Sequence, residues 1–302
     1  MDTTAHVAAS RRVLAPARYA KLALASALSL YLIVLTGAAV RLTGSGLACE
    51  SWPGCQEGAF FPAVNSHSSI EFGNRVMALF PIGLSLAAWA LTTTGLARWP
   101  RWLAAATFLG TIAQAPLGLL TIRLDLHPLM VATHFLLALV VLATAIVLAV
   151  EAWGNAHGRI RSPVPPWLRL VGLLLALACG VLVVTGTLST AAGPHPGDSA
   201  EIQRFWNLLD AVELHVRATA VFGLSFLLLL AWLFRNRDRA GLLAPAALAL
   251  LVLLLVQMGV GELQWRNQLP WWLVLIHVGL AALVWAWTVA LVTALWRTPA
   301  RL

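Results

Sequence analysis

Eight apolar runs punctuate this chain, each close to the ~20 residues that an α-helix needs to cross a hydrocarbon core of roughly 30 Å. They fall at 22–40, 70–95, 102–121, 128–150, 167–187, 208–234, 242–262 and 271–295. Inside lipid no water satisfies backbone N–H and C=O groups, so runs of this length fold as helices. Glycines and prolines within several of them are compatible with spanning, because neighbouring helices re-satisfy the freed groups. A hydrophobic share of 60% with 11% charged residues excludes a soluble domain, in which apolar residues make up about 45–50%. The expected class is an all-α integral membrane protein with eight transmembrane helices in the bilayer. The first run lacks a small-residue cleavage site and is too long for a signal peptide, so it reads as an uncleaved span.

A net charge of +8 invites a nucleic-acid reading, but the charges are sorted by side. With a cytoplasmic N-terminus, 14 of the 20 basic residues are cytoplasmic, among them Arg11, Arg12, Arg161 and Arg301, while nine of the 12 acids, including Glu201, lie on the opposite side. The positive-inside rule thus places both termini in the cytoplasm of a plasma-membrane protein and leaves no basic patch for nucleic acid.

Gln114, Gly118 and His134 recur as Gln257, Gly261 and His277, each pair 143 residues apart, and TGAAVRLTGSG from Thr36 resembles TGTLSTAAGPH from Thr185. Four spans per unit give two parallel repeats. The expected organisation is a tail at 1–21, an N-terminal four-helix half at 22–150, a cytoplasmic linker at 151–166, a C-terminal half at 167–295 and a tail at 296–302.

Only His6 and His157 are cytoplasmic; the other six histidines lie toward the outer face. His134, His215 and His277 sit within apolar helices, where an ionisable ring is costly and marks a functional candidate; the alternative is a hydrogen bond across a helix interface. Span two of the first half carries Asn74 near the place that His215 takes in the second. Two imidazoles from different helices across an apolar slot suit a six-coordinate haem, whereas zinc would need three or four ligands and no HxxxH or CxxC cluster supplies them. Arg41, Arg75 and Arg217, near outer helix ends, are candidates for haem propionates or for interfacial anchoring. Gln114 and Gln257 read as bonding across helices.

Cys49 and Cys55 bracket a Pro-Gly turn on the oxidising side, and a disulfide is expected between them. Cys179, within the fifth run, reads as a packing residue.

The segment RLTGSGLACESWPGC, with the four-plus-four layout and the histidines of spans four, six and eight, resembles the haem A synthase family. The resemblance implies oxidation of a ring methyl of haem O to a formyl group at the outer face, by successive hydroxylation and loss of water, for terminal oxidase biogenesis. It also implies a haem b cofactor, whose iron is held by His215 and His277, in the C-terminal half, and the substrate haem in the N-terminal half. A haem O synthase would supply the substrate, and terminal oxidase assembly factors would follow.

One departure stands out: the family places Glu-x-x-His-Arg at the start of span two, where this chain reads Glu71, Phe72, Gly73, Asn74, Arg75. Asparagine is a poor iron ligand, which leaves His134 as the imidazole for the substrate iron, with an open sixth position. Asn74, Arg75 and His67 are candidate substrate-site contacts, and His67, four residues before Glu71, is a candidate replacement ligand. Glu71, a carboxylate at an apolar helix start, is the candidate catalytic residue; its alternative role is to cap that helix. Two other classes are compatible with parts of the pattern, a b-type haem electron carrier that modifies no haem and a transporter.

Overall fold

The computed structural model describes residues 14–62, 66–92, 98–160, 163–198 and 204–300. His6, Arg11, Arg12, Arg161, Glu201 and Arg301 lie outside the described residues. The helices are α1 (Pro16–Leu42), α2 (Ser66–Met77), α3 (Leu79–Ala90), α4 (Arg98–Arg123), α5 (Pro128–His157), α6 (Pro166–Ala192), α7 (Leu208–Arg235), the short α8 (Arg237–Ala240), α9 (Leu243–Arg266) and α10 (Trp271–Trp296). Among the described residues there is no strand, only the isolated bridges Gln56–Ala59 and Arg159–Pro299.

Among the described residues seven helices are long and apolar enough to cross a membrane: α1, α4, α5, α6, α7, α9 and α10. The expected second span at 70–95 is not one continuous helix. It divides at Ala78 into α2 and α3 of 12 residues each. Pro81 has no N–H for the Met77 carbonyl, so the ladder is interrupted where the helices meet. The first piece also carries Ser66, His67, Ser68, Glu71, Asn74 and Arg75, too polar to read as lipid-facing.

Many large side chains, such as Leu28, Leu177, Leu224 and Leu228, are exposed at the protein surface, where an aqueous protein would risk aggregation and a lipid-facing one does not. With no hydrophobic drive between helices in lipid, close packing of small residues holds the centre together. There α1, α5 and α10 meet through Ala27, Ala145, Ala282 and Ala286 beside Leu30, Leu139 and Leu142. Two hydrogen bonds cross this seam. Trp285 Nε1 donates to the Leu139 carbonyl at 2.8 Å, and the Tyr31 hydroxyl to that of Gly279 at 3.2 Å. At one end of the bundle buried Glu151 pairs with Arg159 at 2.6 Å and Arg297 at 3.5 Å.

The turns entering α5 and α10 share backbone conformation and a hydrogen bond. Asp125 and Leu126 have φ of 48° and 54°, and Gln268 and Leu269 have 62° and 58°, a left-handed pair uncommon for non-glycine residues. Leu126 N–H donates to the Thr121 carbonyl at 3.0 Å, and Leu269 N–H to that of Gln264 at 2.8 Å. Leu126 wedges between two close backbones: a Cβ on Gly46 would stand 2.8 Å from its Cδ1, and one on Gly197 2.9 Å. Gly46 N–H donates to the Gly197 carbonyl at 2.8 Å, so the loop after α1 is stitched to the loop after α6.

Candidate functional site

A cavity of about 480 Å³ opens between α1, α2, α3, α4 and α5, beside the loop after α1 and the loop after α6. Arg41, Glu71, Asn74, Arg75, Gln114 and His134 all line it, so the structure brings together most of the residues singled out in the first half of the chain. Such a volume is within the usual 300–1,000 Å³ of ligand sites. Its polar atoms are unevenly served. Both side-chain polar atoms of Gln114 and Nδ1 of His134 are buried without a partner, a cost that a bound ligand would remove. Gly118 on α4 leaves room for the imidazole; a Cβ there would meet His134 Cε1 at 3.4 Å.

At one wall of the cavity the disulfide Cys49–Cys55 closes the loop after α1 as expected. The loop is then fastened to α2. The buried Glu71 carboxylate accepts the Cys49 N–H at 2.8 Å through Oε2 and pairs through Oε1 with Arg75, four residues on, at 2.5 Å. Arg75 also donates to the carbonyls of Ser51, at 2.7 Å, and Gly54. Arg75 therefore has its donors in the loop while lining the cavity. His67 lies elsewhere: its Nδ1 is 2.9 Å from Ser45 Oγ, and it lines a neighbouring cavity of about 510 Å³ with His195.

Asn74 Oδ1 accepts from Thr36 Oγ1 at 2.7 Å, beside Gly37, from which a Cβ would be 4.0 Å away. His215 on α7 has the corresponding neighbours on α6. Its Nδ1 is 3.2 Å from Thr185 Oγ1, and a Cβ on Gly186 would stand 2.9 Å from its Cε1. Thr185 commits its hydrogen to the Leu182 carbonyl at 2.9 Å, so His215 Nδ1–H donates to the hydroxyl and Nε2 keeps a lone pair for a metal. His277 lies on α10. A Cβ on Gly261 would reach its Cε1 at 3.1 Å, and its Nδ1 is buried without a partner. Gln257 Nε2 lies 3.2 Å from His277 Nε2 and donates to the His277 carbonyl at 3.2 Å, bonding across helices. Gln114 makes no such bond among the described residues. Two imidazoles on α7 and α10, each backed by a glycine, are residues that could hold a haem iron.

Of the three arginines proposed for carboxylates, Arg217 is spent in an exposed ion pair with Glu213 and Arg75 in the loop. Arg41 donates to the Thr190 carbonyl at 2.6 Å, and Arg204 donates to the same oxygen at 3.0 Å. Arg204 was not foreseen, since a single arginine in a polar loop carries no periodicity. Burial pulls its guanidinium down from the ordinary arginine range. Cys179 is buried and unpaired in α6.

The chain is similar to known proteins. A heme A synthase of Bacillus licheniformis is 32% identical over 130 residues, 42% of this chain and 43% of that protein, and one of Bacillus pumilus is 32% identical over 123 residues, 39% of each. These matches span about two fifths of the length of the Bacillus relatives. A heme A synthase of Listeria monocytogenes is 26% identical over 260 residues, 81% of this chain and 85% of the relative. The pattern of the COX15-CtaA family, described as cytochrome oxidase assembly protein, matches residues 20–289, and the chain belongs to that family, the family of the haem A synthases.

Proposed function

We propose that this protein is a haem A synthase that oxidises the ring methyl of haem O to a formyl group at the outer face of the plasma membrane. The carrying observation is the cavity, which holds one imidazole, His134, with Asn74 and Glu71 in a chamber of apolar walls. His134 binds the substrate iron and orients the porphyrin. Asn74, held by Thr36, leaves the opposite axial position without a strong ligand. Glu71 lies at the same wall, where its carboxylate would take or return a proton as the methyl carbon is hydroxylated twice, each time at the expense of a two-electron oxidant, and the resulting gem-diol loses water to leave the formyl group.

His215 and His277 hold a haem b, which supplies one-electron transfer when bound. Thr185 fixes the His215 tautomer, and the glycines behind both rings set their positions. The like turns before α5 and α10, and the like settings of Asn74 and His215, support two parallel four-helix halves with α2 and α3 together making the second of eight crossings. Both termini are then cytoplasmic. A haem O synthase delivers the substrate, and terminal oxidase assembly receives the product.

A b-type electron carrier without haem-modifying activity would need only the His215 and His277 pair and would form no haem A; the cavity with His134 and the unpartnered Gln114 favours the enzyme reading. Expression with a haem O synthase in a host that makes no haem A, followed by chromatography of the extracted haems, tests the assignment. Haem A with its hydroxylated intermediate is expected. Recovery of haem O alone would refute the enzyme reading.

A further inference from the structure

The wall of the cavity farthest along α1 carries an unusual concentration of positive charge. Arg41, in the last turn of α1, and Arg204, in the loop before α7, meet on the Thr190 carbonyl at 2.6 and 3.0 Å and are close enough to repel one another. That oxygen lies in the last turn of α6, where unsatisfied carbonyls favour cations, and it also accepts the Gly193 N–H at 3.2 Å. One carbonyl has two lone pairs, whereas two guanidiniums bring ten N–H donors between them. Both Nε atoms are buried without a partner. No ion pair joins either guanidinium to a carboxylate among the described residues. Both residues line the cavity that contains His134.

Two like charges held together with donors to spare are stabilised by an anion between them, and a guanidinium fork matches a carboxylate in two parallel hydrogen bonds. We propose that Arg41 and Arg204 form a clamp for a carboxylate of the ligand in this cavity, a propionate of the substrate haem. This rests on the haem O reading above and deepens it. The clamp takes one arm from α1 and the other from Arg204, both anchored on the Thr190 carbonyl at the end of α6. It fixes the in-plane rotation of the ring and hence which methyl group faces Glu71. Arg41 and Arg204 are positioning residues.

Purified protein is titrated with haem O and with its dimethyl ester, following the Soret band, with His134→Ala assigning the signal to this cavity. The wild type is expected to bind the free acid at least about tenfold more tightly than the diester. In Arg41→Leu and Arg204→Leu the two ligands should bind within about twofold of each other, with diester affinity unchanged, which also shows that the variants are folded. Arg204→Lys should recover part of the preference. Equal binding of acid and diester by the wild type would overturn the clamp and leave the haem reading standing. Anionic phospholipid that co-purifies with the wild type and is lost from both leucine variants, without any acid–diester preference, would assign the guanidiniums to a lipid phosphate and also overturn it. Binding of neither porphyrin would overturn the haem O reading and the clamp with it.

Discussion

Thr36 donates to Asn74 Oδ1 at 2.7 Å, in the setting where Thr185 receives the Nδ1–H of His215. A histidine at 74 would meet the same hydroxyl through Nδ1 and turn Nε2 toward the cavity that His134 lines. Asn74→His is therefore expected to convert the substrate haem from a high-spin to a low-spin, six-coordinate spectrum. Asn74→Ala should leave it high-spin. Absorbance and electron paramagnetic resonance of the haem O complex read the difference, and a low-spin wild type would show that another residue already fills the position.

The glycines behind the ligand positions differ in how much room they leave. A methyl group on Gly186 would lie 2.9 Å from His215 Cε1, closer than packed carbons approach, whereas one on Gly37 would find its nearest neighbour, Asn74 Oδ1, at 4.0 Å. Gly186→Ala should displace the His215 ring and lower the low-spin haem b content several-fold, as crowding at a packed site costs about 1–3 kcal/mol. Gly37→Ala should retain it. The pyridine haemochrome content per mole of protein, set beside the low-spin absorbance, checks both.

What could be read from the sequence depended on where each signal resided. His134 and His277 stood out because a polar ring in an apolar run is costly wherever the helix lies, and both are buried against a glycine of the preceding helix. The break at Ala78 escaped notice because a window average merges the polar start of α2 with the apolar α3, and because one missing Pro81 N–H has no hydropathy. Arg41, Arg75 and Arg217 looked equivalent in sequence. Only the packing separates a guanidinium aimed into the cavity from one spent on a loop and one paired at the surface with Glu213. Arg204 was unreadable because its place depends on how the loop after α6 folds back against α1.

Glu71 fastens the loop in the structure and handles a proton in the proposed function, and the two roles can be parted by experiment. Its carboxylate holds the Cys49 N–H and pairs with Arg75, so removing charge at one partner leaves the other buried and uncompensated. Arg75→Leu should destabilise the fold by about 3–5 kcal/mol, seen as a lower midpoint of thermal unfolding in detergent. Glu71→Gln keeps an oxygen for the Cys49 N–H but cannot exchange a proton as a carboxylate does, and conversion of haem O should fall by about 10²-fold or more while haem O still binds. If Glu71 served only to fasten the loop, the double variant Glu71→Gln with Arg75→Leu, which leaves no unpaired charge, would regain both stability and turnover. A proton-transfer role requires stability to return and turnover to stay low. The two measurements on one protein separate the roles: recovery of turnover in the double variant would remove Glu71 from the chemistry and leave it as the residue that seats the disulfide loop over the cavity.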